Sequence, residues 1–242
     1  MKSSARSIAA CCVALAMFGC SHAVTSAERS RDKSPAPHAV QASAQYPGWA
    51  IFSPIGTPLL EIAAGFSTHV WALQDPTSAS VLRVSFDGSY DAIAMPNKLS
   101  APVAVAPGPH GDMWVAEWNG KIGEIAMPDG PIREFPFEGR DKDVIELVMG
   151  PDRNLWFVTR DGGAIGRMTP TGSVTEYYPH LMDAGEAIVV GPDGNLWFCG
   201  FKNMPRTYGG QPIVGKISVN GAITEYPILN VPGFAYRLAK GG

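Results

Sequence analysis

The chain has 242 residues, of which 45% are hydrophobic and 17% charged, so it is long and apolar enough to form one domain with a substantial core. Its formal net charge of −3 provides no strongly basic surface, so we expect no nucleic-acid partner. Its 27 Gly and 21 Pro residues favour a turn-rich, all-β chain.

The N-terminus has the composition of a secretory signal peptide over residues 1–19. Two basic residues are followed by an apolar stretch at residues 8–18, which is too short to span a bilayer. The run that ends at Cys20 resembles a bacterial lipoprotein signal, in which the cysteine becomes the lipidated first residue. Cleavage after Ala23 is the alternative and would leave no anchor. We expect an exported protein of the cell envelope, periplasmic or an outer-membrane lipoprotein, that contacts a membrane only through a lipid on Cys20.

The next segment, residues 20–45, is rich in Ser, Ala, Pro and charged residues without periodicity, which is typical of a flexible linker. The domain then covers residues 46–242. Residues 46–60 contain several Pro and Gly residues and predict at most a short strand or a lead-in. Only Cys199 lies in the main part of the domain, so we expect no disulfide and a small buried side chain in a strand.

The domain is built on a repeat of about 40 residues. Its clearest copy covers residues 191–226, where GPDGNLWF is followed by IVGKIS and GAITEY; two earlier copies start at residues 108 and 150, and a weaker one covers residues 61–95. One tryptophan marks each copy, at spacings of 43, 42 and 41 residues: Trp71, Trp114, Trp156 and Trp197. A steady period of this length predicts units that each bury one face on a neighbour.

Each copy predicts four antiparallel strands. In the last copy an apolar run at residues 187–190 meets a second strand at residues 196–199 through an Asp-Gly turn, and residues 213–218 and 222–228 flank an Asn-Gly turn. Four-stranded sheets at this period are the blades of a β-propeller, with the tryptophan filling the wedge between blades. We predict four recognisable blades that begin near residues 61, 101, 143 and 184.

The C-terminal residues predict an incomplete or open ring. Residues 236–241 align with residues 186–191, so a fifth inner strand begins where the sequence ends. Three interpretations fit this alignment: a truncated product of a longer gene, a small ring closed by residues 46–60 and 234–240, or two open arcs that pair. Truncation or an open arc is favoured.

The repeat GPDGNLWF, IVGKIS and ITEYP resembles that of the virginiamycin B lyase family, the streptogramin lyases. The resemblance covers residues 101–226 well and residues 61–95 poorly. It implies a propeller, which has seven blades in that family. It also implies a metal-assisted elimination that opens a cyclic depsipeptide antibiotic, with Mg²⁺ as a candidate cofactor. Family members use His at the start of certain inner strands and Glu at the end of certain second strands.

These family positions are matched only in part. The Glu position is kept as Glu117 in the second copy but holds Thr159 and Gly200 in the next two. The His position, five residues before the first Gly of each copy, holds no histidine; its occupants are Val103, Ile145, Glu186 and Tyr236. Since elimination requires a base, the lyase function loses the residue that the resemblance assigns to that role.

A substitute site is predicted from the topology of a blade. The start of the inner strand, the end of the second strand and the loop between the second and third strands share one rim, and such loops commonly carry function. We predict acid, base or metal-ligand roles there for Glu117, Glu186 and His180, and ligand contacts for Arg206 and Tyr208. A solvated polar rim without a ligand is the alternative.

The sequence thus favours an exported, lipid-anchored propeller that binds a peptide or protein ligand on this rim. The alternative is an active carbon-oxygen lyase that acts on a cyclic depsipeptide. A weaker third hypothesis is a sugar-lactone or similar small-molecule hydrolase that shares the repeat.

Overall fold

The computed structural model describes residues 61–65, 69–74, 76–87, 89–127, 130–139, 142–202, 210–229 and 237–239. The predicted signal peptide with Cys20, the linker, the lead-in at residues 46–60, and both Arg206 and Tyr208 lie outside these residues. The described residues are all-β apart from one 3₁₀ turn, Pro76–Ser78, and contain no helix long and apolar enough to cross a bilayer.

Sixteen described strands form four antiparallel sheets of four, each hydrogen-bonded in chain order. Blade 1 consists of β1 (Glu61–Ala64), β2 (His69–Leu73), β3 (Ser80–Ser85) and β4 (Tyr90–Ala94). Blade 2 consists of β5 (Pro102–Pro107), β6 (Met113–Glu117), β7 (Lys121–Ile125) and β8 (Ile132–Pro136). Blade 3 consists of β9 (Val144–Met149), β10 (Leu155–Thr159), β11 (Ile165–Met168) and β12 (Val174–Tyr177). Blade 4 consists of β13 (Ala184–Val190), β14 (Leu196–Lys202), β15 (Gln211–Ile217) and β16 (Ile223–Pro227).

The predicted propeller is confirmed, with each blade beginning within one residue of its expected start. The innermost strands β1, β5, β9 and β13 follow one another around the axis, and the ring is not closed. We call the end that carries the turns between first and second strands the lower rim. The opposite end, with the loops between second and third strands, is the upper rim.

The lower rim is held by one hydrogen-bond network that recurs in three blades. In blade 3 the amide of Gly150 donates to the Asn154 carbonyl at 2.8 Å, and the Trp156 indole N–H donates to the Asp152 carboxylate at 2.9 Å. Blade 4 repeats both bonds, and in blade 2 the aspartate has moved two positions along the chain but still accepts from its tryptophan. The turn and the tryptophan rotamer are therefore fixed together.

Each core between blades joins two different faces. The forward face of a blade, which carries the tryptophan, packs on the next blade, and the rear face packs on the preceding one. Between blades 3 and 4 the forward face supplies Trp156, Val158 and Ile165, and the rear face supplies Ile188, Leu196, Phe198 and Ile217. The other two cores use the matching positions. The wedge-filling role predicted for the tryptophans is confirmed in blades 1 to 3, where their side chains are at most 1% exposed.

Candidate functional site

The inner strands of blades 2, 3 and 4 each carry a β-bulge close to the upper rim. In blade 4 the register skips from Gly185 to Ala187, which leaves Glu186 without a partner on β14. The skipped residues of blades 2 and 3 are Val103 and Ile145. These are the positions at which the family resemblance expects histidine. A bulge re-aims the side chain that it carries, so these three positions share one backbone feature although none of them holds a histidine.

Two further glutamates, Glu61 and Glu146, lie on inner strands, four residues before the first Gly of their repeats. Glu61 accepts a hydrogen bond from the Val105 amide at 3.2 Å, which links blade 1 to blade 2. Burial and the neighbouring Glu146 carboxyl raise the pKa of Glu61 to about 8. Burial also raises the pKa of Glu146, whereas Arg237, which forms an ion pair with it, acts in the opposite direction. Burial and the neighbouring carboxyl group therefore favour the protonated form of Glu61 at neutral pH.

A second group of charged and aromatic side chains lies where the upper rims of blades 2, 3 and 4 meet. Burial raises the pKa of Glu186, and the positive charges of Arg160 and Arg237 oppose that rise. The Arg160 guanidinium carbon lies 5.6 Å from the centroid of the Trp118 ring, and Trp118 is 49% exposed. We call Trp118, Arg160 and Glu186 the rim cluster. It combines an accessible aromatic face with one charge of each sign.

Glu117 lies between blades rather than on the open rim. Its side chain is fully buried, and Asn119 donates to one carboxylate oxygen at 3.0 Å. Burial raises its pKa, and the Ser100 hydroxyl beside it has the opposite effect. Glu117 alternates with Met113 and Val115, which belong to the core between blades 1 and 2. Its carboxyl group therefore faces that core, and the role predicted for it stays a prediction.

His180 is exposed in the connection between blades 3 and 4. Its backbone amide and that of Leu181 each donate to Glu225 at 2.8 Å, so β16 fixes the path of this connection. The groups that shift the pKa of Glu186 are Arg160 and Arg237, not His180. The roles predicted for His180, Arg206, Tyr208 and the lipidated Cys20 stay predictions.

The His, Cys, Asp and Glu side chains of the described residues do not form a site for a divalent metal. Within the described part of the chain, no three His, Cys, Asp or Glu side chains come together in a way that could hold an ion. Glu61 and Glu146, whose carboxyl groups interact, also interact with the positive charge of Arg237. The Arg237 guanidinium, which is paired with Glu146, supplies the positive charge beside these carboxyl groups.

Sequence reasoning missed Glu61, Glu146, Arg160 and Trp118. A signal was available for the first two, because Glu61, Glu146 and Arg237 each stand four residues before the first Gly of their repeat. Blades 2 and 4 have Ala104 and Ala187 at this position. A charge that returns at a position otherwise reserved for small residues indicates a shared location at the axis.

The comparisons with known proteins agree with this architecture. A sequence model of the Virginiamycin B lyase family matches residues 37–242. The chain is similar to a catalytically inactive variant of virginiamycin B lyase from Staphylococcus aureus, solved with quinupristin. The two are 27% identical with a TM-score of 0.66, over 76% of this chain and 60% of that chain. A streptogramin B lyase structure is 26% identical with a TM-score of 0.65, over 75% of this chain and 58% of that chain.

A more distant match supports the fold alone. The WD40 domain of Neurospora crassa Pan2 is 19% identical with a TM-score of 0.55, over 70% of this chain and 51% of that chain. No curated protein sequence matches the chain. The chain spans only 60% and 58% of the two lyase chains described above.

Proposed function

This chain belongs to the virginiamycin B lyase family, and we propose that it acts as an exported, lipid-anchored propeller that binds a peptide or protein ligand on its upper rim. The observation that supports this proposal is the rim cluster. Trp118 offers an exposed ring, and Arg160 and Glu186 beside it offer charges that match the carboxylates, amines and aromatic groups of peptides.

The electrostatics of the cluster favour binding of a polar ligand. Arg160 Nε is buried, and its N–H finds no hydrogen-bond acceptor in the described part of the chain. A ligand carboxylate or carbonyl over the Trp118 ring would be attracted by the positive charge of the Arg160 guanidinium. Glu186 beside it would accept from an N–H of the same ligand.

A second candidate function is the carbon-oxygen lyase activity of the family. The supporting observation is that Glu186 occupies the bulge position at which the family resemblance expects histidine. Its raised pKa makes it a stronger base than an ordinary carboxylate, as removal of a proton next to a carbonyl requires. Because the described residues do not fit a divalent metal, we derive no step through Mg²⁺.

One experiment tests both functions. Purified full-length protein would be titrated with quinupristin by calorimetry, with and without Mg²⁺, and the drug recovered for mass spectrometry. Binding with intact drug supports the ligand-binding function, a linear product supports the lyase, and absence of both at millimolar drug contradicts the proposal.

We expect Trp118→Ala to weaken binding at least about tenfold, equal to about 1.4 kcal/mol. Phe86→Ala is the matched control, since Phe86 is 47% exposed but lies on the lower rim.

The lipid anchor is tested separately. Cells that express the full-length chain would be labelled with a clickable fatty acid. We expect label on the protein and none on a Cys20→Ser variant. An unlabelled wild-type protein would show that the signal is cleaved elsewhere, for example after Ala23, and would leave the ligand-binding proposal untouched.

A further inference from the structure

The position three residues after the blade tryptophan holds a buried polar side chain in blades 1, 2 and 3. Its occupants are Gln74, Glu117 and Thr159, which are 7%, 0% and 0% exposed. They make up three of the seven buried polar or charged side chains among the described residues. Because a buried polar group costs free energy unless it finds a hydrogen-bond partner, we looked for what these side chains bind.

Each of the three accepts a hydrogen bond from the segment between the second and third strands of its own blade or from the start of the third strand. Glu117 accepts from the Asn119 side chain at 3.0 Å. Thr159 Oγ1 accepts from the Ala164 amide at 3.0 Å. The glutamine of blade 1 accepts through Oε1 from the Ser80 hydroxyl at 3.4 Å. The position therefore ties the second strand to the upper-rim loop that follows it.

The three acceptors do not share a charge. Gln74 and Thr159 are neutral, and only Glu117 carries a carboxyl group. An amide, a hydroxyl and a carboxyl group can all accept, whereas only the last could act as an acid, a base or an anionic ligand. The common property of the position is therefore hydrogen-bond acceptance. In blade 4 the position is held by Gly200, which has no side-chain acceptor.

Two of the acceptors directly precede residues of the rim cluster. Trp118 follows Glu117 in blade 2, and Arg160 follows Thr159 in blade 3. The two loops meet where the Arg160 guanidinium lies beside the Trp118 ring. Side chains that fix these loops therefore also fix the aromatic ring and the guanidinium relative to each other.

The loop that carries Trp118 has three residues between β6 and β7. The Trp118 amide donates to the Ala101 carbonyl at 2.9 Å, and the Gly120 carbonyl accepts from the connection to blade 3 at 2.9 Å. Gly120 has a φ of 80°, which favours glycine. The middle residue, Asn119, is exposed and is tied to the core through the Glu117 carboxylate. Each of the three loop residues is thus held by a different element.

We propose that Glu117 is a positioning residue, whose hydrogen bond with Asn119 holds the loop that presents Trp118 to the ligand and which needs no charge for this task. Thr159 has the same task for the loop that carries Arg160. A binding site works best when its contact residues are held in place by such supporting hydrogen bonds. The consequence for ligand binding rests on the proposed function of the rim cluster, whereas the effect on Trp118 itself does not.

The test starts without a ligand, by fluorine NMR of the full-length protein labelled with 5-fluorotryptophan. The resonance of Trp118 is the one missing from Trp118→Phe. We expect Glu117→Leu and Asn119→Ala to shift or broaden it, because each removes one side of the bond. Glu117→Gln should keep its position and width, since the amide oxygen still accepts. Asp152→Ala, on the lower rim, controls for lost stability and should also leave the Trp118 resonance in place.

Quinupristin titration of the same variants then connects the loop to binding. We expect Glu117→Leu to weaken binding at least about threefold, and Glu117→Gln to bind like the wild type. The proposal is overturned if the Trp118 resonance stays in place in both Glu117→Leu and Asn119→Ala, or if it moves in Glu117→Gln as well. Unchanged affinity of Glu117→Leu for a drug that the wild type binds would also overturn it. A wild type that binds no drug contradicts only the proposed function, and the NMR result still decides the role of Glu117.

Discussion

The lower and upper rims are built from the same repeat but differ in how much their side chains vary from blade to blade. At the lower rim, blades 2, 3 and 4 share one network in which an aspartate accepts from the tryptophan indole. At the upper rim, the matching positions differ from blade to blade, as Glu117, Thr159 and Gly200 illustrate at the ends of the second strands. The repeat is constant where it holds blades together and variable where charged groups collect.

The backbone at the upper rim is nevertheless as regular as at the lower rim. Three inner strands carry the bulge at the same position, although its residues are Val103, Ile145 and Glu186. The scaffold thus presents equivalent sites on successive blades, and the side chain at each site decides its chemistry. We therefore expect substitutions at the lower rim to change stability, and substitutions of the charged groups at the upper rim to change how stability depends on pH.

The largest effect is expected from the tryptophans. Trp156 is fully buried between blades 3 and 4. Trp156→Ala should lower the unfolding free energy of the protein by about 3–5 kcal/mol, because a large cavity remains. Trp118→Ala, on the upper rim, should cost less than about 1 kcal/mol because half of the ring is in solvent. Urea denaturation followed by circular dichroism measures both. Equal losses would mean that the rims do not differ as described.

A smaller effect is expected from the aspartate beneath the tryptophan. Asp152 accepts from the Asn154 side chain at 2.8 Å and from Trp156 at 2.9 Å, and it forms an ion pair with Arg167 at 2.8 Å. Asp152→Ala should destabilise the protein by about 1–3 kcal/mol, because buried donors lose their acceptor. Asp87→Ala is the control, since Asp87 is exposed and accepts hydrogen bonds from Ser89 within its own turn.

The pH dependence of Asp152 has a definite sign. Although burial favours the neutral acid, the side-chain hydrogen bonds from Asn154 and Trp156 hold the pKa of Asp152 below its usual value. A lowered pKa contributes stability above the unfolded value of about 3.9 that is lost as the pH falls through the folded pKa. The wild type and Asp152→Ala should therefore converge in stability below about pH 4, and a constant gap down to pH 2 would contradict the assignment.

The fold could be predicted closely because its determinants are local. Asp-Gly and Asn-Gly turns, strands of four to seven residues and one tryptophan in each copy are all visible within about 40 residues of sequence. The burial of Glu117 was also available in principle, since it alternates with Met113 and Val115 on the strand face that turns towards blade 1.

The axial charges could not be predicted from local pattern, because their partners are distant in sequence. Glu146 pairs with Arg237, 91 residues away, and Glu61 accepts from Val105, 44 residues away. A single glutamate within an apolar inner strand carries no information about which blade faces it. The arrangement of blades around the axis brings these distant residues into contact. In the sequence, the contact is indicated only by the repeat position that Glu61, Glu146 and Arg237 share.

A pH dependence of the opposite sign is expected for Glu61, whose pKa is raised by burial and by Glu146 to about 8. A raised carboxyl pKa contributes stability that is complete below the unfolded value of about 4.3 and is lost as the pH rises towards 8. Glu61→Gln cannot ionise, so it should match the wild type near pH 4 and exceed its stability at pH 9. We therefore expect a gain in unfolding free energy at pH 9 and none near pH 4. Glu138→Gln, which changes a carboxyl group that is 81% exposed, is the control and should follow the wild-type curve throughout. If Glu61→Gln follows that curve as well, the carboxyl pair at the axis does not hold a proton in the folded protein.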